Sequence, residues 1–199
     1  MSHISFYSDL EKEICDEIKA WSQHALEVPN EECGNLPVCA YAKKAWLDGK
    51  VGFSFKYGPG YQPLYSLIST YEDNYDVIVL VDIDYEEDPE KFHSYLVGLN
   101  EAISEKFFIQ EDIWVMGFHP ADETNEVIDD GSFEPLIENE YAMIFIQRLK
   151  KLQQSAKKLQ KMGYYKYYFG DNNTPHVFKL RQYFYDKLTE ERSHEQKQS

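Results

Sequence analysis

Basic residues, cysteines and long apolar stretches are all scarce in this sequence. Lys and Arg number 20 against 35 Asp and Glu, which gives a formal net charge of −15. Because phosphate contacts need Lys and Arg, this balance argues against binding to nucleic acid or to an anionic membrane. It favours a basic protein partner or a cation, or it simply keeps the chain in solution.

The small number of cysteines and the lack of long apolar runs bear on where the protein is located. The three cysteines, Cys15, Cys33 and Cys39, are odd in number and do not form a disulfide framework. No apolar run approaches the roughly 20 residues that span a bilayer. The first residues show no basic flank followed by an apolar core, so we expect no signal peptide. The expected location is therefore the cytoplasm.

Apolar and aromatic residues, in contrast, are plentiful. Hydrophobic residues make up 43% and aromatic residues 16% of the 199 residues, which excludes a disordered chain. A chain of this length fits one domain with a substantial core. We predict a single domain over residues 1–189, followed by a disordered polar tail over residues 190–199.

Three apolar segments predict strands, and helical patterns lie between and around them. Residues 51–57 alternate apolar and polar side chains, whereas residues 77–81 and 113–118 are nearly continuous apolar runs. Asp88 and Pro89 are typical of a helix start. Helices are predicted at residues 10–25, 38–47, 64–71, 92–107, 141–159 and 174–188. The order predicts an α/β fold with a small, mainly parallel sheet of three or four strands, flanked by helices and extended by N- and C-terminal helices.

Polar side chains follow two of the predicted strands. Asp82 and Asp84 come after the second strand, and His119 comes after the third, where Pro120 ends it. Because parallel strands end at a common edge, these side chains should lie near one another. They suit a divalent metal site or a general acid–base set. The alternative is structural: the aspartates solvate a strand end, and His119 hydrogen-bonds a neighbouring loop.

Cys39 stands near the start of a predicted helix. The helix dipole and Lys43, one turn further on, favour a lowered thiol pKa and hence a nucleophile or a metal ligand. A buried, unreactive cysteine is the alternative.

Three segments resemble an uncharacterised bacterial family, domain of unknown function 1415, over about residues 35–150. The matching segments are Cys39-Ala-Tyr-Ala-Lys43, Phe118-His119-Pro120, and Glu140-Tyr-Ala-Met143 leading to Arg148. The sequence departs from the family where Ala40 replaces a proline and Phe145 replaces a histidine, and it lacks the family's Asn-Arg-Ser-Pro stretch. The resemblance implies that Cys39, His119 and Arg148 matter, and it supplies no reaction.

Two functions follow from these patterns. The first is a small enzyme in which His119 is a base or metal ligand, Cys39 a nucleophile or ligand, and Arg148 a clamp for a small anionic substrate. The second is a non-catalytic, regulatory interaction module that presents the acidic residues 122–140 to a basic partner. The substrate, the identity of any metal and the oligomeric state cannot be read from the sequence.

Overall fold

The computed structural model describes residues 8–31, 35–122, 140–164 and 176–195. The helices are α1 (Asp9–Trp21), which continues into a π-helical turn (Ser22–Leu26), α2 (Ala42–Leu47), α3 (Gln62–Ser69), α4 (Pro89–Ser104), α5 (Leu149–Lys161) and α6 (His176–Glu195). The strands are β1 (Pro29–Asn30), β2 (Leu36–Pro37), β3 (Val51–Lys56), β4 (Val77–Asp82), β5 (Ile113–Phe118) and β6 (Ala142–Arg148).

A four-stranded mixed sheet organises the molecule, in the order β3-β4-β6-β5. Strands β3 and β4 are parallel, while β6 is antiparallel to both β4 and β5. Strands β3, β4 and β5 therefore all run in one direction, as the strand–helix order predicts. The predicted α/β class is confirmed, and the sheet is mixed because β6 lies between β4 and β5. Strands β1 and β2 form a separate antiparallel pair.

The prediction of one long helix over residues 141–159 is wrong in its first half. Residues Ala142–Arg148 form β6, one of the two central strands, and the helix begins only at Leu149. Tyr141, Phe145 and Leu149 are spaced four residues apart, which fits a helix stripe. However, four of the six other residues between Tyr141 and Leu149 are also apolar, and a strand buried on both faces has no period of two to distinguish it.

The sheet separates two apolar layers. Helices α3 and α4 pack on one face, where Phe92, Leu96 and Ile103 of α4 contact Ile144 and neighbouring strand residues. Helix α1 packs on the other face, where Ile14 and Ile18 contact Val79, Val81 and Met143. Helices α5 and α6 meet Trp114 of β5 through Leu149, Phe184 and Leu188. Alternation along each strand thus assigns side chains to a face.

Two features of the helices bear on the sequence expectations. Asp88 is the N-cap of α4, where its carboxylate accepts from the backbone N–H groups of Glu90 and Lys91. Helix α6 runs to Glu195, six residues past the predicted boundary at residue 189. No helix in the described ranges combines the length and apolar character needed to cross a membrane.

Candidate functional site

Strands β3, β4 and β5 end at a common edge of the sheet, here called the carboxyl edge. Lys56, the last residue of β3, pairs in register with Asp82, the last residue of β4, and Asp82 pairs with Ala142. Phe118 ends β5 opposite Met143, so that His119 follows beside Ala142. With strands about 4.8 Å apart, Asp82 and His119 lie about 10 Å from each other across β6.

Lys56 and Asp82 form a buried ion pair at this edge. The Lys56 Nζ lies 2.6 Å from Asp82 Oδ1, and the same ammonium donates to the backbone carbonyl of Asp84. Their side chains are only 2% and 0% exposed. The second carboxylate oxygen, Asp82 Oδ2, has no hydrogen-bond partner in the described part of the chain. Burial raises the pKa of Asp82, while the hydrogen bond and charge of Lys56 oppose that rise.

Aromatic rings cover the ion pair. The ring of Tyr61 lies 5.4 Å from the Lys56 Nζ, and it stacks on Tyr95 with the ring centroids 4.1 Å apart. The hydroxyls of Tyr95 and Tyr65 share a hydrogen bond. Burial is the main cause of the raised pKa of Tyr61. The pair is therefore enclosed on the α3 and α4 side by neutral phenols.

His119 is buried, and both of its ring nitrogens are engaged. A backbone carbonyl can only accept and an amide can only donate, so Nε2 donates to the Glu86 carbonyl at 2.7 Å and Nδ1 accepts from the Ala121 N–H at 3.1 Å. The rings of Tyr85 and Phe92 lie against it, 5.1 and 5.3 Å away by centroid. In this arrangement the proton is on Nε2 and Nδ1 carries none, so the imidazole is neutral and holds the loop after β5 in place. Neither nitrogen is then available as a base or a metal ligand.

The predicted metal set does not come together. No group of three or more His, Cys, Asp or Glu side chains within the described ranges is arranged to hold a metal ion. The nitrogens of His119 are used by the backbone, Asp82 bonds Lys56, and Asp84 is exposed. Both His119 and Asp82 do lie at the carboxyl edge, as the strand order predicts.

A histidine that the sequence argument did not single out also lies at this edge. The Nε2 of His93, on α4, lies 3.1 and 2.9 Å from the two carboxylate oxygens of Asp122. Asp122 Oδ2 also accepts the backbone N–H of His119 at 3.1 Å. His119 thus contributes to the turn that holds Asp122 against His93.

Cys39 lies away from His119. Its backbone N–H bonds the Leu26 carbonyl at 2.9 Å, at the end of the turn that continues α1. Because α1 packs on one face of the sheet and the His119 ring contacts Phe92 of α4 on the other, the sheet separates the two residues. Burial raises the pKa of the Cys39 thiol despite backbone N–H groups and Arg181 that oppose the rise. Of the two interpretations of Cys39, the raised pKa favours the unreactive cysteine over the nucleophile.

Arg148 lies at the opposite edge from His119. It ends β6 and pairs with Ile113, at the start of β5. At about 3.4 Å per residue, Arg148 and Ala142 are about 20 Å apart along the strand. The structure therefore does not assemble Cys39, His119 and Arg148 into the single site predicted from the sequence. Residues 123–139, most of the predicted acidic interaction segment, lie outside the described residues.

Lys56 is the main residue that the sequence argument missed. A lysine at the end of an alternating strand usually points to solvent. The available signal was positional: if β3 and β4 are parallel neighbours, the lysine that ends one strand stands beside the aspartate that ends the other.

The chain matches no protein-family model, no curated protein and no solved structure. The resemblance to domain of unknown function 1415 stays a prediction.

Proposed function

We propose that this chain is a small α/β enzyme that transfers protons to and from a small polar substrate at the carboxyl edge of its sheet. Asp82 is the acid–base group and Lys56 the cation that holds it. Arg148 is not part of this site, because it lies at the other edge of the sheet.

The observation that supports this proposal is the buried Lys56–Asp82 pair, in which Asp82 Oδ2 has no hydrogen-bond partner among the described residues. Removing two charges from water costs more than their attraction usually returns, and an unsatisfied buried oxygen adds to that cost. A fold gains little stability from such a pair. Open α/β sheets bind ligands at the carboxyl ends of their strands, where this pair lies.

The chemistry of the pair suits proton transfer. Burial raises the pKa of Asp82, which brings a carboxyl group closer to the range in which it both accepts and releases a proton. A substrate hydroxyl or ammonium would donate a hydrogen bond to Oδ2, which accepts none from the described residues, while Lys56 keeps Oδ1 fixed. Because Tyr61 covers the pair, the substrate reaches Oδ2 only when this ring or the loop before it moves.

A double substitution tests whether the pair is kept for function rather than for stability. We expect Lys56→Met/Asp82→Leu to unfold in urea with a free energy within about 1 kcal/mol of the wild type, or above it. The single change Asp82→Leu leaves a buried ammonium unpaired, so it should lose about 3 kcal/mol or more. If the double variant loses as much as the single one, the pair is a structural element and the proposal fails.

A binding measurement completes the test. Saturation-transfer NMR against ethanolamine, glycerol and lactate compares the wild type with the double variant under identical conditions. We expect at least one probe to contact the wild type and to lose that contact in the variant. Equal signals for both proteins, or none for the wild type, would contradict a substrate site at this pair.

A further inference from the structure

A second cleft opens at the edge of the sheet opposite the Lys56–Asp82 pair. It has a volume of about 560 Å³ and collects side chains from the loop before β5, from the end of β6 and from the first turns of α5. It is lined by Asp73, Ile109, Gln110, Glu111, Asp112, Arg148, Lys150, Lys151 and Gln154. Three cationic side chains thus line one polar cleft beside three carboxylates, on a chain whose net charge is −15.

Two of the three carboxylates that line the cleft, Asp73 and Asp112, are engaged by other groups, and Glu111 is the third. Asp112 accepts the backbone N–H of Lys150 at 2.8 Å, so it closes the N-terminus of α5 and leaves that helix end unavailable to a ligand. Lys151 bonds Asp76, outside the cleft. The Lys150 ammonium, by contrast, makes no hydrogen bond or ion pair with the residues that the structure describes.

Arg148 is held in place independently of its carboxylate partner. Its guanidinium lies 4.8 Å from the centre of the Tyr71 ring, and it donates to Gln110 Oε1 at 3.0 Å and to the Tyr71 carbonyl at 3.3 Å. Its side chain is only 15% exposed. The arginine is therefore already oriented, with one edge of its planar fork turned to the cleft.

Asp73 occupies that edge from the solvent side. Nε and NH2 of Arg148 both lie 2.8 Å from Asp73 Oδ1, whereas the Asp73 side chain is 84% exposed. A side chain this exposed returns to water at little cost, and exposed ion pairs contribute little to stability. Asp73 therefore stands where the carboxylate or phosphate group of a ligand would bind.

We propose that this cleft binds a small polyanion, and that Asp73 is an internal competitor which the ligand displaces from Arg148. Arginine recognises carboxylate and phosphate through the same pair of N–H donors that Asp73 now uses. The volume lies in the range of small-molecule sites and leaves room for a second acidic group beside Lys150. This site is independent of the proposed chemistry at Asp82, about 20 Å away along β6.

Substitution of the competitor gives a sharp test. Citrate and pyrophosphate, titrated calorimetrically at one fixed ionic strength, distinguish a carboxylate ligand from a phosphate ligand. We expect Asp73→Asn to bind the preferred probe about two- to fivefold more tightly than the wild type, since the amide cannot hold the guanidinium as a carboxylate does. Asp9→Asn makes the same change in net charge on a fully exposed side chain far along the sequence, and it should leave the affinity unchanged.

Removal of the Lys150 ammonium should lower the affinity for the probe. We expect Lys150→Gln to weaken binding about threefold or more, while Lys158→Gln, on the same helix but outside the cleft, has no such effect. If neither probe binds the wild type or Asp73→Asn, the cleft is not an anion site. If the cleft variants and their controls change the affinity for the probe equally, the change comes from the net charge of the whole chain, and the proposal fails.

Discussion

Gly117 lies where β5 packs directly against α4. A Cβ atom at this position would stand 2.3 Å from Phe92 Cε1 and 2.7 Å from Leu96 Cδ1, both in the core between the sheet and the helix. Because these side chains are buried and close-packed, they cannot move aside freely. We expect Gly117→Ala to lower the free energy of unfolding by about 1–3 kcal/mol, measured by urea denaturation.

Gly98, on α4, provides the matched control. A Cβ atom at Gly98 would meet no heavy atom within 4 Å, and alanine in a helix interior restricts the unfolded chain. Gly98→Ala should therefore raise the free energy of unfolding by roughly 0.5–1 kcal/mol. A loss of similar size in both variants would mean that the approach of β5 to α4 is not the cause.

At the same scale, the two residues of greatest interest differ in how far sequence could identify them. His119 was predictable as a residue at the carboxyl edge, because a proline ends the strand just after it. The sequence allowed for hydrogen bonds from His119 to a neighbouring loop, but their partners, backbone groups of Glu86 and Ala121, come near only in the folded loop. Lys56 lacked any local signal, because its partner Asp82 stands 26 residues away.

Asp112 sets the start of helix α5 from outside the helix. Its carboxylate accepts the Lys150 N–H at 2.8 Å, which replaces a capping side chain on Arg148, where none is present. We expect Asp112→Ala to lower the free energy of unfolding by about 1 kcal/mol, measured in urea. Asp112→Asn keeps an acceptor of the same shape and should cost much less. If both substitutions cost the same, the negative charge rather than the cap is responsible.

Helices and strands with a clear apolar pattern or a clear helix-capping residue were predictable from sequence. Strand β5 spans Ile113–Phe118, as its apolar run predicts, and Asp88 caps α4 as expected. Strand β6 was not predictable, because a central strand covered on both faces shows neither of the two periods reliably. Its identity depends on pairing with β4 and β5, and pairing over such distances in sequence leaves no local pattern.

At the scale of the molecule, β6 connects the carboxyl edge of the sheet to the opposite edge, and the two edges carry different side chains. Ala142 stands at the carboxyl edge between Asp82 and His119, while Arg148 stands at the other edge, in the second cleft. The sequence places these residues in the correct order but cannot show that the segment between them is extended. As a helix of 1.5 Å per residue, the same segment would span about 9 Å rather than about 20 Å, so one shared site was a reasonable prediction.

The buried tyrosines make the whole molecule sensitive to alkali. Burial raises the pKa of Tyr85 to about 12, and it raises the pKa of Tyr71 and of Tyr141 as well. The unfolded chain releases these protons near pH 10, whereas the folded chain retains them. The unfolded state then binds fewer protons than the folded state, so the free energy of unfolding must fall as the pH rises above about 10.

Tyr141 allows one group to be separated from the rest. Its side chain is fully buried, and its hydroxyl donates to Glu17 Oε2 at 2.7 Å. Between pH 10 and 11, urea denaturation of Tyr141→Phe should show a slope against pH that is shallower than that of the wild type by about 1 kcal/mol per pH unit. Tyr183→Phe removes the hydroxyl of a side chain that is 56% exposed, and it should retain the wild-type slope. Identical slopes for all three proteins would mean that Tyr141 ionises as readily in the folded chain as in the unfolded one, and that burial among α1 and β6 does not hold its proton.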